Sequence, residues 1–297
     1  MYTEAYLPLA VNLLGDNQRR LMCTLTSGIT LSEFVDGRAD AYSVDCRRAD
    51  VNTEGDTAAF GGSGCSRYLS SVVGVLREHG YTIPPHGVTI RSDIGCPIGL
   101  HQSVAVVTCY VNWLKARFRE QLAQVDKVWV VGQAFCRLGL EWPMGVRAAD
   151  LEKQSTIYLE TPEGLSRLAY WPRNWRLLFC HPTAGVRCAD VIPTRWRDDV
   201  CLSDQDVTEA VAALNSANLA ELREAMRTRF IKRILNGWPI SEEMSAMVVP
   251  VMDICRHAAF VAAGTYLVVI SDSEVEANEL RSYATVAGMP FSIFQLT

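Results

Sequence analysis

The sequence predicts a protein of the mixed α/β (α+β) class with two domains. Its 297 residues suffice for two modest hydrophobic cores. The first forty-five residues alternate apolar and β-branched runs with turn residues, as strands do. Several later segments instead place their apolar residues at helical spacing. Strands and helices are therefore both expected along the chain.

The N-terminal part is predicted to form successive strands over residues 7–17, 22–37 and 39–45. Gly15 with Asp16, and Asp36 with Gly37, mark the turns between them. Residues 50–64 are polar and rich in glycine, so we expect a loop there.

Three helical segments follow, over residues 65–81, 105–118 and 125–138. The first is predicted to end at Gly80, and His79 beside it suits the negative end of the helix. The second has the strongest periodicity and is predicted to be a central buried helix. Its buried side is expected to hold Val106, Cys109, Tyr110, Trp113, Leu114 and the stem of Arg117.

The second half begins with predicted strands between residues 156 and 182. Helices are expected over residues 207–217, with Ser203 or Asp204 as cap, and over residues 219–235 and 241–259. We interpret the methionines of the last helix as core-filling. The final forty residues predict strand, helix, strand.

Composition excludes several kinds of function. A net charge of −5 does not favour nucleic-acid binding, which needs clustered cations. No apolar run reaches the length of a bilayer span and no signal peptide is recognised, so we expect a cytoplasmic protein without a membrane partner. Ten scattered cysteines and five dispersed histidines predict no metal site. Most cysteines have apolar neighbours, which predicts reduced, buried thiols.

Residues 90–105, IRSDIGCPIGLHQSVA, predict a strand, a turn and the start of the central helix. That geometry suits an anion, because the first N–H groups of a helix lack partners. Ser92, Asp93, Ile94, Gly99, Leu100 and Ser103 keep the frame of the loop S-D-I-P-x-G-x-G-L-S-S-S-A-S. The segment resembles the phosphate loop of the GHMP kinases, in their galactokinase branch.

The resemblance implies an N-terminal ribosomal-S5-like domain, residues 1–170, and a C-terminal ferredoxin-like domain, residues 171–297. It also implies an ATP- and magnesium-dependent kinase that phosphorylates a small hydroxylated substrate. The segment TAGVRC at residues 183–188 is similar to the family's N-T-G-V-R-H strand, which opens the second domain.

The family's phosphate loop implies a set of cofactor-binding residues. They are Asp93, Gly95, Gly99, Leu100, His101, Gln102 and Ser103. Pro97 replaces a glycine and removes an N–H donor, and Ile98 adds bulk. Ser103 remains a possible phosphate or magnesium ligand, while His101 could contact an anion or simply cap the helix.

The segment AVNLLGDNQR, residues 10–19, resembles the family's R-V-N-L-I-G-E-H-T-D. The resemblance implies the substrate-binding residues Asn12, Asp16, Asn17 and Arg19, and further along the chain Arg147. Ala10 stands where the family has an arginine that stabilises the transferring phosphoryl group, and alanine has no charge to offer. Arg19 replaces an acidic acceptor with a forked donor. The alternative is that residues 16–20 form an exposed polar turn.

Two further motifs are altered. The family's A-E-x-x-x-x-G-x-x-x-G-I-M-D-Q places its glutamate at Ala134 and its catalytic aspartate at Ala148, or at Arg147 if the register slips by one. Asp150 could serve as the base instead, or it is an exposed acid near a helix start. In the third motif His257, Ala259, Val261 and Ala262 replace glycines. These glycines bring the third-motif loop against the phosphate loop in the family.

Two functional hypotheses follow. The first is a pseudokinase, or a galactokinase-like protein with a repurposed cleft, that binds a small polar molecule or a protein partner. The second is a divergent ATP-dependent small-molecule kinase that uses Ser103, Asp93 and Asp150, with ATP and Mg²⁺ as cofactors. A purely structural role in an enzyme complex, and assembly as a homo-oligomer, stay open.

Overall fold

The structure is a computed structural model. It describes residues 4–15, 20–33, 41–45, 50–54, 64–84, 86–92, 99–140, 156–161, 164–167, 171–180, 204–235, 242–256, 259–262, 267–289 and 291–295. The statements below concern these residues.

Runs of one to four strands alternate with runs of one to three helices along the described chain. The strands are β1 Glu4–Gly15, β2 Arg20–Glu33, β3 Ala41–Asp45, β4 Asp50–Glu54, β5 His86–Ser92, β6 Thr156–Thr161, β7 Gly164–Arg167, β8 Arg176–Cys180, β9 Ala259–Ala262, β10 Leu267–Ser271 and β11 Phe291–Gln295. The helices are α1 Gly64–Glu78, α2 Gly99–Arg117, α3 Arg119–Leu122, α4 Lys127–Arg137, α5 Asp204–Asn215, α6 Leu219–Leu235, α7 Glu242–Ile254 and α8 Glu274–Val286. The mixed α/β class is confirmed.

The chain divides into two compact units. One comprises residues 1–9 and 27–153, and the other comprises residues 10–26 and 154–297. Strands β1 and β2, which pair with each other, each contribute to both units. The predicted division into domains 1–170 and 171–297 stays a prediction, because residues 168–170 lie outside the described part of the chain.

The first unit contains antiparallel pairs in the order β4, β3, β5 and the second half of β2. The expected loop over residues 50–64 is wrong at its start, because residues 50–54 form β4, with Ala41 of β3 opposite Glu54. Strand β3 would otherwise leave one edge of N–H and C=O groups unpaired, and an edge strand tolerates polar side chains. Pairing therefore overrides the local composition. The expectation is also wrong at its end, where Gly64 begins α1.

The second unit contains the first half of β2 paired with β6, which pairs with β7. It also contains a four-stranded antiparallel sheet in the order β11, β8, β10, β9. Residues of β8, β10, α7 and α8 share a core that includes Leu178, Val251, Leu267 and Leu280. The predicted strand, helix and strand of the last forty residues are confirmed, with β9 and β10 as two strands where one was expected. Met247 fills the core as predicted, whereas Met252 is 38% exposed.

Four helix ends share one hydrogen-bonding pattern, the Schellman motif. Its long bonds join Tyr81 N–H to Leu76 O (3.0 Å), Leu140 N–H to Phe135 O (3.0 Å), Asn218 N–H to Ala213 O (2.8 Å) and Met289 N–H to Ala284 O (2.8 Å). The motif requires a residue with positive φ, and Gly80, Gly139 and Gly288 supply it at three ends. At the fourth end, after α5, that residue is Ala217, with φ of 51°.

We expect Ala217→Gly to stabilise the protein by about 0.5–1 kcal/mol. Glycine adopts positive φ without the steric cost that alanine carries, and part of that gain is offset by the greater freedom of glycine in the unfolded chain. Urea unfolding measures the difference. Ala212→Gly, at an exposed position inside α5, is the matched control and should destabilise by about 1 kcal/mol. Equal losses for both variants would contradict the assignment of strain to Ala217.

One buried hydroxyl lacks a partner. Thr89 of β5 is 1% exposed, and its Oγ1 makes no hydrogen bond in the structure. In the backbone register it lies opposite Ser32 of β2 and Ala41 of β3. A buried polar atom without a partner costs stability.

Thr89→Val should therefore raise the free energy of unfolding by about 1 kcal/mol, because valine keeps the shape and removes the unpaired hydroxyl. Thr108→Val is the control. The Thr108 hydroxyl is equally buried but donates to Val104 O at 2.7 Å, so its removal should not stabilise. A loss of stability in Thr89→Val would show that this hydroxyl is satisfied.

None of the helices in the described segments has the length and apolar character needed to cross a membrane.

Candidate functional site

The strand and the helix of the predicted strand–turn–helix unit are both present in the structure. Strand β5 runs to Ser92, and α2 begins at Gly99. The residues between them, 93–98, lie outside the described part of the chain, and these include Asp93 and Gly95. Of the predicted cofactor-binding residues, Gly99, Leu100, His101 and Gln102 form the start of α2.

Helix α2 is held rigidly by burial on almost every side. Its predicted buried residues Val106, Cys109, Tyr110, Trp113 and Leu114 are all at most 2% exposed, which confirms the central buried helix. Val104, Ala105, Val107, Thr108 and Val111 are buried as well. Arg117 lies at the exposed end and pairs with Glu33 of β2 at 3.4 Å. The position of the helix start is therefore fixed by the core of the first unit.

The start of α2 has the chemistry of an anion site. Its first four N–H groups have no partners within the helix, and its first turn carries no acidic side chain. Ser103, the fifth residue, is partly buried, and none of the hydrogen bonds among the described residues engages its hydroxyl. Ser103 thus remains the described side chain most suited to contact a bound anion.

Helix α4 shows what stands at the position of the family's glutamate. Asp126 caps the helix by accepting from Val128 N–H at 2.9 Å and Trp129 N–H at 3.2 Å. Ala134 is 1% exposed, and its carbonyl accepts a 2.7 Å hydrogen bond from Ser71 of α1. This position is packed between helices and carries no side-chain oxygen for a magnesium ion.

The remaining predicted site residues stay predictions. Arg147 and Asp150 lie outside the described residues, as do Ala148 and Gly145. Asp16, Asn17 and Arg19 lie in another part that the structure does not describe, while Asn12 belongs to β1. The structure thus neither brings these substrate and catalytic residues together nor separates them.

The third-motif segment forms a strand where it is described. Residues 259–262 make up β9, which pairs with β10 in the register Leu267 opposite Ala262 and Ile270 opposite Ala259. Alanine, phenylalanine and valine fit an extended strand better than glycine does, because glycine has no side chain to pack and more freedom to lose. His257 and Ala258 lie outside the described residues.

Burial makes three of the described cysteines poor nucleophiles. Cys23, Cys109, Cys180 and Cys255 are buried thiols outside any disulfide bond, as predicted, whereas Cys136 is exposed. Burial raises the pKa of the Cys109 thiol to about 12, and that of Cys255 to about 12 with help from Glu276 and Glu279. Burial raises the pKa of Cys23 as well. These thiols stay protonated at neutral pH, which is unsuited to nucleophilic attack.

Two ionisable groups were missed by the sequence reasoning. Burial lowers the pKa of Lys127 to about 8, nearby Lys115 lowers it further, and Asp126 opposes both. His86, at the start of β5, contacts Tyr110 and Trp113 of α2. A histidine directly before a predicted strand, with two aromatic residues three apart on the next helix, was the only available signal.

Comparisons with known proteins address the fold. The sequence matches no protein-family model and no curated protein. Among solved structures, the chain is similar to Lactococcus lactis galactokinase complexed with galactose, with a TM-score of 0.67 and 12% identity over 99% of this chain and 93% of that one. Methanococcus jannaschii mevalonate kinase gives 0.64 and 11% identity over 100% and 98% of the two chains. Homoserine kinase from Cytophaga hutchinsonii gives 0.57 and 13% identity over 100% and 94%.

Each of these proteins is a GHMP kinase, and the likeness extends over the full length of the chain. The chain therefore has the GHMP kinase fold, as the resemblance of its motifs implied. At these identities the likeness concerns the fold and leaves the chemistry to be argued from residues.

Proposed function

We propose that this chain, which has the GHMP kinase fold, is a galactokinase-like protein without ordinary kinase activity whose cleft binds a small polar molecule or a protein partner. The supporting observation is that several residues that the family uses for phosphoryl transfer are replaced together. Ala10 replaces a cationic residue, Ala134 a glutamate and Ala148 an aspartate in the family's pattern. A change of substrate alone would leave the phosphoryl-transfer groups in place.

Ala134 is the part of this proposal that the described structure supports directly. Its side chain is buried between helices, and its carbonyl oxygen is engaged by Ser71 at 2.7 Å. Magnesium requires several oxygen ligands, usually including carboxylates. The described residues contain no cluster of three or more His, Cys, Asp or Glu side chains that could hold a metal ion. Ala134 therefore offers magnesium no ligand at the position where the family has a glutamate.

Phosphate binding without phosphoryl transfer is compatible with the same residues. The start of α2 offers N–H groups and the Ser103 hydroxyl, and no acidic side chain stands in its first turn. An anionic group on a small polar ligand would be favoured there by the helix dipole. Cytoplasmic location and the absence of nucleic-acid partners belong to this proposal as well.

A thermal-shift titration with MgATP tests the proposal. We expect no rise in the melting temperature at millimolar MgATP. A true nucleotide site filled at about 100 times its Kd would stabilise the protein by about 2.7 kcal/mol, which corresponds to a rise of roughly 5 °C. A rise of that size, accompanied by ATP-dependent phosphorylation of a small hydroxylated compound, would overturn the proposal in favour of a divergent kinase.

The divergent kinase is the second candidate, favoured by Ser103 at the start of α2. If MgATP does bind, Ser103→Ala should weaken binding about tenfold, the loss of one charge-assisted hydrogen bond. Ser282→Ala, on an exposed position of α8, is the control and should leave binding unchanged. Equal binding by both variants would remove Ser103 from the site.

If MgATP binds, a substitution of Asp150 tests whether this residue takes part in turnover. Asp150→Ala should abolish phosphorylation without weakening nucleotide binding, because the residue would act as the base. Asp272→Ala, at an exposed acid before α8, should retain full turnover. Undiminished turnover in Asp150→Ala would show that Asp150 is not the base.

A further inference from the structure

Helix α7, Glu242–Ile254, packs one side against the core of the second unit. Four residues form that side, and each is at most 7% exposed: Met247, Val248, Val251 and Cys255. They share the core with residues of β8 and β10. Their spacing of one, three and four residues is that of a single helical side. A surface helix of this kind ordinarily carries polar side chains on the side that faces solvent.

The solvent-facing side of α7 is instead apolar along its middle. Residues 246–252 read AMVVPVM and include no polar side chain. Ala246 is exposed, Val249 is 61% exposed and Met252 is 38% exposed. Helix α8, which packs on the same core, exposes asparagine, arginine, serine and threonine side chains. A helix that is apolar on all sides is typically buried, so we expect a second surface to cover this part of α7.

The apolar stripe has charges of opposite sign at its two ends. Glu242 is the first residue of α7, Arg256 follows its last turn, and Val249 is seven residues from each. Cys255 N–H donates to Val251 O at 2.8 Å, so the helical path continues beyond Ile254. Seven residues make nearly two helical turns, which places positions 242, 249 and 256 on one side of the helix.

The backbone holds Arg256 at the end of the stripe. Its Nε donates to the carbonyl oxygen of Asp253 at 3.2 Å, and its own carbonyl oxygen accepts from Arg223 Nη1 at 2.5 Å. Among the described residues, no hydrogen bond uses the terminal nitrogens of the Arg256 guanidinium. These nitrogens can therefore donate to a carboxylate of another molecule.

Two copies of α7 that lie side by side in opposite directions match both the stripe and the charges. With Val249 on the two-fold axis, position 242 of each copy lies opposite position 256 of the other. The positive start of each helix also faces the negative end of its neighbour. A parallel pair would place Glu242 opposite Glu242 and Arg256 opposite Arg256, and like charges repel. The charge pattern thus fits a second copy of this chain in one orientation.

We propose that α7 is the self-association surface of this protein, through an antiparallel pairing of two α7 helices about Val249. Ala246, Val249 and Met252 form the apolar centre of the contact, and Glu242 and Arg256 form its charged ends. One helix from each copy makes a narrow interface, smaller than those of permanent dimers. The dimer therefore forms reversibly, with a dissociation constant on the order of 10–100 μM. It does not depend on the proposed function, because the start of α2 takes no part in it.

Sedimentation of the full chain tests the self-association. The wild type should pass from monomer to dimer between about 5 and 500 μM. Val249→Lys should weaken the dimer at least about tenfold, because two ammonium groups would then meet on the axis without counter-ions. Val286→Lys, at an 89% exposed position that ends α8, is the matched control and should leave the dimer unchanged. A wild type that stays monomeric at about 500 μM would overturn the proposal and leave the stripe to a different partner.

Charge reversal tests the antiparallel orientation. Glu242→Arg and Arg256→Glu should each be monomeric, because like charges then meet at both ends of the contact. An equimolar mixture of the two variants should dimerise, since each arginine again faces a glutamate. Mixing would not repair a folding defect in either variant, so recovery is specific to the contact. Two variants that stay monomeric on mixing, or a dimer that persists in Val249→Lys, would contradict the pairing.

Discussion

The burial of α2 is the constraint on which the first unit depends. Residues on nearly all sides of the helix are removed from solvent, and Tyr110, Trp113 and Leu114 are completely buried. Each large apolar side chain contributes on the order of 1.5–3 kcal/mol when it is fully buried. Cys109 adds contacts of its sulfur to the carbonyl oxygens of Ala5 (3.4 Å) and Ile29 (3.6 Å). A helix buried in this way cannot shift without opening the core, so its first turn is presented at a fixed place.

Packing constraints of this kind can be predicted from the sequence. The chemistry of the candidate site can be predicted only in part. The apolar spacing of α2 predicted which of its residues are buried, and Gly80 predicted where α1 ends, because both signals are local. Strand β4 was missed because its polar residues are extended only by pairing with β3, a contact that local composition does not encode. The His86 contact was missed for the same reason, since its partner lies 24 residues away.

The fold and the family's chemistry place different demands on the chain. A core accepts many apolar side chains of suitable volume. The fold can therefore be shared with Lactococcus lactis galactokinase at an identity of about one residue in eight. Phosphoryl transfer instead requires particular charged atoms at fixed positions, and an alanine cannot replace any of them. Ala134 illustrates the difference, because it fits the contact between α1 and α4 well and offers no ligand to a metal.

The second unit is assembled from two stretches of chain, residues 10–26 and 154–297, with most of the first unit between them. Residues 20–24 of β2 pair with residues 156–160 of β6, so more than a hundred residues are synthesised before the partner of that half-strand exists. During translation the N–H and C=O groups along that side of β2 stay available to other strands in the cell, which is a route to misassembly. The first unit can form its β2–β5 pairs much earlier on the ribosome. Vectorial synthesis therefore makes the β2–β5 pairs of the first unit available for folding before the β2–β6 pairs of the second unit.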